Sequence, residues 1–196
     1  MKAKDKFKAI PLFLTVLRMV LGPAIAVIAI YRPSSLAFAA CLIAAFLSDV
    51  FDGIIARHLG VATPNLRRLD SVADTMFYLG AAFAAWHLYP HAITDRFIPL
   101  ALLGGLEISR YLLDLWKFGK EASYHMWSSK LWGIALFVGF FSLLALGFDG
   151  LPMSLAIFFG LIADLEGLAI SLVIREWKTD VPSLYHALMV NRKARI

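Results

Sequence analysis

Cysteine is nearly absent from this chain of 196 residues, which carries one, Cys41. That count excludes an intrachain disulfide and a Cys-based zinc site. Cys41 lies in an apolar run, where a thiol serves as a packing residue. Charge is scarce too: Asp, Glu, Lys and Arg make up 17% of the residues, against about a quarter in a soluble domain. Internal repeats and low-complexity segments are missing, and no polar stretch is long enough for a separate soluble domain.

What the chain has instead is apolar residues, 60% of the total, gathered in long blocks rather than alternating or heptad patterns. About 20 apolar residues span a bilayer as a helix, whereas 10 to 14 more often mark a core helix. Six blocks approach the longer value, at 10–31, 36–57, 67–88, 97–115, 129–147 and 151–173. The expectation is an all-α integral membrane protein, with six transmembrane helices in one bundle and one domain over residues 1–196. The first block follows a basic stretch, as a signal peptide would, but it exceeds the usual h-region of about 7 to 15 residues. It also contains Arg18, so it reads as a retained span.

The cations orient the spans. Four lysines precede the first; Arg57, Arg67 and Arg68 flank the second connection; Lys117, Lys120 and Lys130 flank the fourth. Arg175, Lys178, Arg192, Lys193 and Arg195 follow the sixth, while the opposite side has only Arg32 and Arg96. Cytoplasmic loops collect Lys and Arg, so both termini of this multi-pass chain are expected in the cytoplasm. The net charge of +5 then reflects topology and contact with anionic lipid heads. Nucleic acid is excluded as a partner, because the cations are spread over several membrane-edge loops without a groove-binding motif.

Local signals mark the connections. Lys2 to Leu14 is amphipathic enough for a short N-terminal interfacial helix, with Pro11 breaking it or opening the first span. Ser35 reads as the N-cap of the second span, and Gly60, Thr63 and Pro64 separate the second and third. Lys117 to Trp127 reads as a polar cytoplasmic loop and Gly147 to Pro152 as an external turn. The polar tail after Arg175 is expected along the cytoplasmic face.

Four carboxylates stand out. Asp49, Asp52 and Ala56 share one helical face at i, i+3 and i+7, and Asp70 and Asp74 share another at i and i+4. A short loop makes these helices antiparallel neighbours, so all four acids can meet near the cytoplasmic edge. One ionised Asp at a membrane-helix centre costs roughly 2.5 to 3.5 kcal/mol, so four cost on the order of 10 kcal/mol before mutual repulsion. Two divalent cations would neutralise them, and oxygen-only ligands favour Mg²⁺, Ca²⁺ or Mn²⁺ over zinc or copper. The competing reading, solvated interfacial acids paired with Arg57, Arg67 and Arg68, suits any one of them better than all four together. Gly53 and Ala56 leave space on the carboxylate face for a flat ligand or for close helix packing.

Asp49-x-x-Asp52-Gly53-x-x-Ala56-Arg57 followed by Asp70-x-x-x-Asp74 resembles the signature of the CDP-alcohol phosphotransferases, D-x2-D-G-x2-A-R-x8-G-x3-D-x3-D, at seven of its eight fixed positions. The family's second glycine falls at Leu66. Pro11-x-x-x-Thr15-x-x-Arg18 is similar to the segment opening the family's first span, although Leu12 stands where Asn is frequent. The resemblance implies a homodimeric enzyme of phospholipid biosynthesis that transfers a substituted phosphate from a CDP-linked lipid donor to an alcohol and releases CMP. It implies Mg²⁺ or Mn²⁺, as two ions, held by Asp49, Asp52 and Asp70, with Asp74 at the edge of the site and acting as general base. Asp49, Asp52, Gly53, Ala56 and Arg57 would bind the CDP donor.

Arg110, Lys130 and Arg175 are candidates for a phosphate on the acceptor, against ordinary snorkelling at the interface. Arg110 also follows Glu107 by three residues, which suits a structural ion pair equally. Asp164 and Glu166, two residues apart, need partners that spacing does not name: the bundle cavity, Arg18, Arg110 or a dimer interface. A small cation transporter would explain intramembrane acids, but not Gly53-x-x-Ala56-Arg57 or the placement at the cytoplasmic edge. A non-catalytic nucleotide- or lipid-binding relative is the other alternative, raised by Leu66.

Overall fold

The computed structural model describes residues 2–60, 63–120, 122, 124 and 126–193; for 2–9, 57, 64–65, 67 and 190–193 the backbone alone is described. All regular elements among the described residues are helical: α1 (Lys2–Tyr31), α2 (Ser35–Leu59), α3 (Pro64–Leu88), α4 (Pro90–Thr94), α5 (Phe97–Phe118), α6 (Trp127–Phe140), α7 (Leu151–Val173) and α8 (Leu184–Lys193). A π-helical turn, Phe141–Ala145, continues α6. The contacts divide the chain into two compact units, residues 1–93 with 140–148 and residues 94–139 with 149–196.

In the first unit α1 packs against both α2 and α3. Its buried stripe runs Pro11, Thr15, Arg18, Gly22, Ile25, Ala29, alternating steps of four and three. That 3.5-residue period keeps one seam facing its partners along the whole helix. The matching stripe of α2 is Phe38, Leu42, Ala45, Ser48, Asp52, Ala56, and that of α3 includes Ala73, Phe77, Ala81 and Ala84. One end of each seam is apolar and the other bears the polar residues, so the packing that buries Ile25 and Leu42 also carries Arg18 and Asp52 inward. The outward faces expose Val20, Val27, Leu36, Leu47, Leu79 and Trp86, a surface suited to lipid.

Gly22 and Gly80 set how closely α1 and α3 approach. A Cβ on Gly22 would sit 2.6 Å from the Met76 carbonyl oxygen, and one on Gly80 would overlap the Gly22 carbonyl. Two backbones in contact through glycine are the small-residue device of membrane helix packing.

Each of the six apolar blocks falls on a helix. Four segments are long and apolar enough to cross a membrane: Ile10–Tyr31, Ser35–Ala56, Trp127–Ala145 and Leu151–Val173. The chain is therefore an integral membrane protein. The 25 residues of α3 and 22 of α5 are long enough, yet each holds four charged residues, among them Asp70 and Asp74 in α3 and Glu107 and Arg110 in α5. No separate interfacial helix precedes the first span, because α1 runs unbroken from Lys2 through Pro11. The Thr15 hydroxyl donates to the Pro11 carbonyl at 2.9 Å, one turn further on.

The connections follow local chemistry. Ser34 rather than Ser35 caps α2, its Oγ accepting from the Ala37 N–H at 3.4 Å. Gly60 adopts φ +66° after α2, and the Thr63 hydroxyl accepts from the Leu66 N–H at 3.2 Å with proline opening α3. The tail is not merely polar chain, since Leu184–Lys193 forms α8.

The second unit packs α5 on α7 and α7 on α8. Gly119, at φ 70°, ends α5, and the chain then returns under α7. Tyr124, Met126, Ile170, Ile174, Val181 and Ala187 form its buried cluster.

Candidate metal centre

Four carboxylates in the first unit converge on one guanidinium. Arg18 is 1% exposed, on the inner stripe of α1. Its Nη1 donates to Asp49 Oδ1 at 3.0 Å and also to Asp74 Oδ1; its Nη2 donates to Asp70 Oδ1 at 3.0 Å and also to Asp52 Oδ2. Each terminal nitrogen carries two hydrogens, so the four N–H groups match four acids one to one.

The acids are not equivalent. Asp52 is 5% exposed and the deepest, with the Thr15 hydroxyl 3.4 Å from its Oδ2. The side chains of Asp49, Asp70 and Asp74 are 48%, 33% and 38% exposed, so they face the open side of the cluster. These three each offer an oxygen within 4.8 Å of the other two. One guanidinium against four carboxylates leaves three negative charges on a compact all-oxygen donor set, which fits hard divalent cations. Asp74, expected at the edge, lies within the group of three; Asp52 lies under it against Thr15 and Arg18.

Of the residues expected at the CDP donor, Ala56 is buried and Gly53 half-buried, both one turn beyond an aspartate on α2. The side chain of Arg57 lies outside the described residues. Leu66, at the family's glycine position, sits half-buried in the first turn of α3.

The three cations considered for an acceptor phosphate have different surroundings. Arg110 Nη2 donates to Glu107 Oε1 at 2.7 Å, and its Nε lies 4.0 Å from Asp164 Oδ1. Lys130 is exposed, its Nζ 4.5 Å from the Trp127 ring centroid, and Arg175 is exposed beyond α7. Asp164 thus turns toward Arg110. Glu166 turns elsewhere: it accepts from the Ser128 hydroxyl at 2.5 Å and from the Leu184 N–H at 3.0 Å, closing the N-terminus of α8.

Two groups escaped the sequence reading. Thr15 is legible only as part of a segment similar to the family's first span, and Arg18 beyond that only as an open partner for Asp164 and Glu166, with no link to the four aspartates. The available signal was a lone arginine inside an apolar span, which needs a buried anionic partner. The other is Asp114, 2% exposed, which accepts from the Ser171 hydroxyl at 2.5 Å while Tyr124 OH lies 2.9 Å from the same Ser171 oxygen.

No curated protein and no solved structure is matched by this chain. A family model does match, over residues 8–190, nearly the whole chain including all four aspartates and Arg18, and its description is CDP-alcohol phosphatidyltransferase. With helices able to cross a membrane and the spaced aspartates gathered at one point, this chain belongs to the CDP-alcohol phosphatidyltransferase family, a family of membrane transferases that act on CDP-alcohols.

Proposed function

We propose that this protein transfers a substituted phosphate from CDP-diacylglycerol to an alcohol and releases CMP, with Mg²⁺ or Mn²⁺ as two ions bound by Asp49, Asp52, Asp70 and Asp74. The observation that carries this reading is the convergence of four carboxylates from two helices on one point, with three of them open to the surroundings. When bound, the ions supply neutralisation of the pyrophosphate and of the charge on the departing CMP.

The chain's own residues divide the rest. Gly53 and Ala56 leave room beside the carboxylates for the nucleotide, and Arg57 pairs with its phosphate in the fork geometry of a guanidinium. Asp74, partly open, takes the proton of the acceptor hydroxyl as the alcohol oxygen forms its bond to phosphorus and the bond to CMP breaks. Lys130 and Arg175, both exposed, are retained as candidates for a phosphate on the acceptor; Arg110 is already engaged by Glu107. All six long helices cross the membrane, both termini face the cytoplasm, and the enzyme works as a homodimer.

The test is a panel of radiolabelled alcohols incubated with CDP-diacylglycerol and the purified protein, reading lipid product and CMP. Product should require Mg²⁺ or Mn²⁺, vanish with chelator, and fall on the order of 100-fold or more in Asp70→Asn. No product with any acceptor, in a preparation that moves cations across vesicles, would replace this reading with the transporter.

A further inference from the structure

The Arg18 guanidinium and a divalent ion contend for the same oxygens. This follows from the contact pattern: every terminal N–H of Arg18 is spent on a different one of the four carboxylates, and the side chain is 1% exposed. Its Nε is buried without a hydrogen-bond partner, so the residue is placed for the acids rather than for its own complete satisfaction. A role confined to anchoring α1 would need one carboxylate.

We propose that Arg18 is a positioning residue that serves as a built-in counter-ion: it holds Asp49, Asp52, Asp70 and Asp74 together and sets the ion affinity of the centre by opposing it. The proposal rests on the reading of the cluster as a divalent-cation site. Four carboxylates at such separations repel one another, and the repulsion is large where the medium is apolar. Arg18 offsets part of it from within. The same charge weakens ion binding, because a positive charge about 4 Å from a divalent ion reduces its affinity more than tenfold even at the dielectric constant of water. Stability without ions and affinity for ions are therefore linked with opposite sign through one side chain. Lysine is no equivalent, since three donors on one nitrogen cannot serve four acids.

The experiment uses the full chain in detergent micelles, wild type beside the two charge-removing variants Arg18→Met and Arg18→Gln. Mn²⁺ binding is read from the electron paramagnetic resonance signal of free Mn²⁺, and melting is followed with chelator and with saturating Mn²⁺. Arg18→Met should melt lower than wild type in chelator, bind Mn²⁺ at least about tenfold more tightly, and recover more of its melting temperature on adding the ion. Arg18→Gln, which is also neutral, should show the same pair of changes, and it carries the test if Arg18→Met does not fold. Lower melting together with unchanged or weaker Mn²⁺ binding would overturn the proposal and leave Arg18 as a structural anchor. If wild type alone fails to bind Mn²⁺, tight binding by Arg18→Met still supports it; if no form binds, the metal-site reading falls and this inference with it. If the variants lose binding that the wild type has, the metal-site reading stands and the inference alone fails.

Discussion

Gly80 of α3 lies against the carbonyl of Gly22 in α1, four residues beyond Arg18, with no room for a single added carbon. The clash would be with backbone, which cannot rotate away as a side chain tip can. The crossing of α1 and α3 therefore sets where Arg18 stands relative to Asp70 and Asp74.

Gly80→Ala should force α1 and α3 apart. Overpacking of this kind costs about 1 to 3 kcal/mol, and the melting temperature in detergent should fall accordingly. Transfer activity should fall further than stability alone explains, because α1 carries Arg18 and α3 carries two of the carboxylates it holds, Asp70 and Asp74. Gly104→Ala, whose added carbon meets nothing within 4 Å, is the control and should leave both unchanged.

Glu166 joins three parts of the second unit: its own helix α7, Ser128 of α6 and the first turn of α8. Glu166→Ala removes the acceptor for the Leu184 N–H and for the Ser128 hydroxyl. Loss of a helix cap costs about 1 kcal/mol, and hydrogen bonds to a charged group carry about 1.5 to 3 kcal/mol. The expected outcome is faster amide exchange across residues 184–189, with the exchange of α1 to α3 unchanged.

Ser171 stands between Asp114 and Tyr124, donating to the acid at 2.5 Å with the phenol oxygen 2.9 Å away. Lys117 adds a donor to the Ser171 carbonyl at 2.7 Å, so the end of α5 and the returning loop are tied to the end of α7. Ser171→Ala leaves the buried Asp114 without that donor, at a cost of about 1 to 3 kcal/mol. Limited proteolysis should then cut within residues 119–126 at a lower protease concentration than in wild type.

The proposed topology predicts labelling by side. In a Cys41→Ala background, Lys120→Cys should react with a membrane-impermeant maleimide only from the cytoplasmic face, and Phe148→Cys only from the opposite one. Both positions are exposed and lie outside the helices. Labelling of both from one face would overturn the six-span arrangement.

Much was legible in the linear chain. Runs of about 20 apolar residues can satisfy their backbone in lipid only as helices, so the long helices and their approximate ends follow from composition. Thr63 before proline starts α3 by rules that act over a few residues. The four aspartates announced themselves because intramembrane charge is costly and their spacings put them on single faces. Spacing, however, specifies which face of its own helix a residue occupies and not which other helix meets that face. Arg18 and Arg110 were both open partners for Asp164, and only packing sends Arg18 to the α2 and α3 acids and Arg110 to Glu107 and Asp164. The approach of backbones at Gly22 and Gly80 and the shared seams of α1, α2 and α3 are properties of three surfaces at once. The sequence by itself determined that a carboxylate centre exists, through the cost of burying charge; the tertiary structure alone decided that a single guanidinium lies at its heart, because close packing chooses among partners that local rules leave equal.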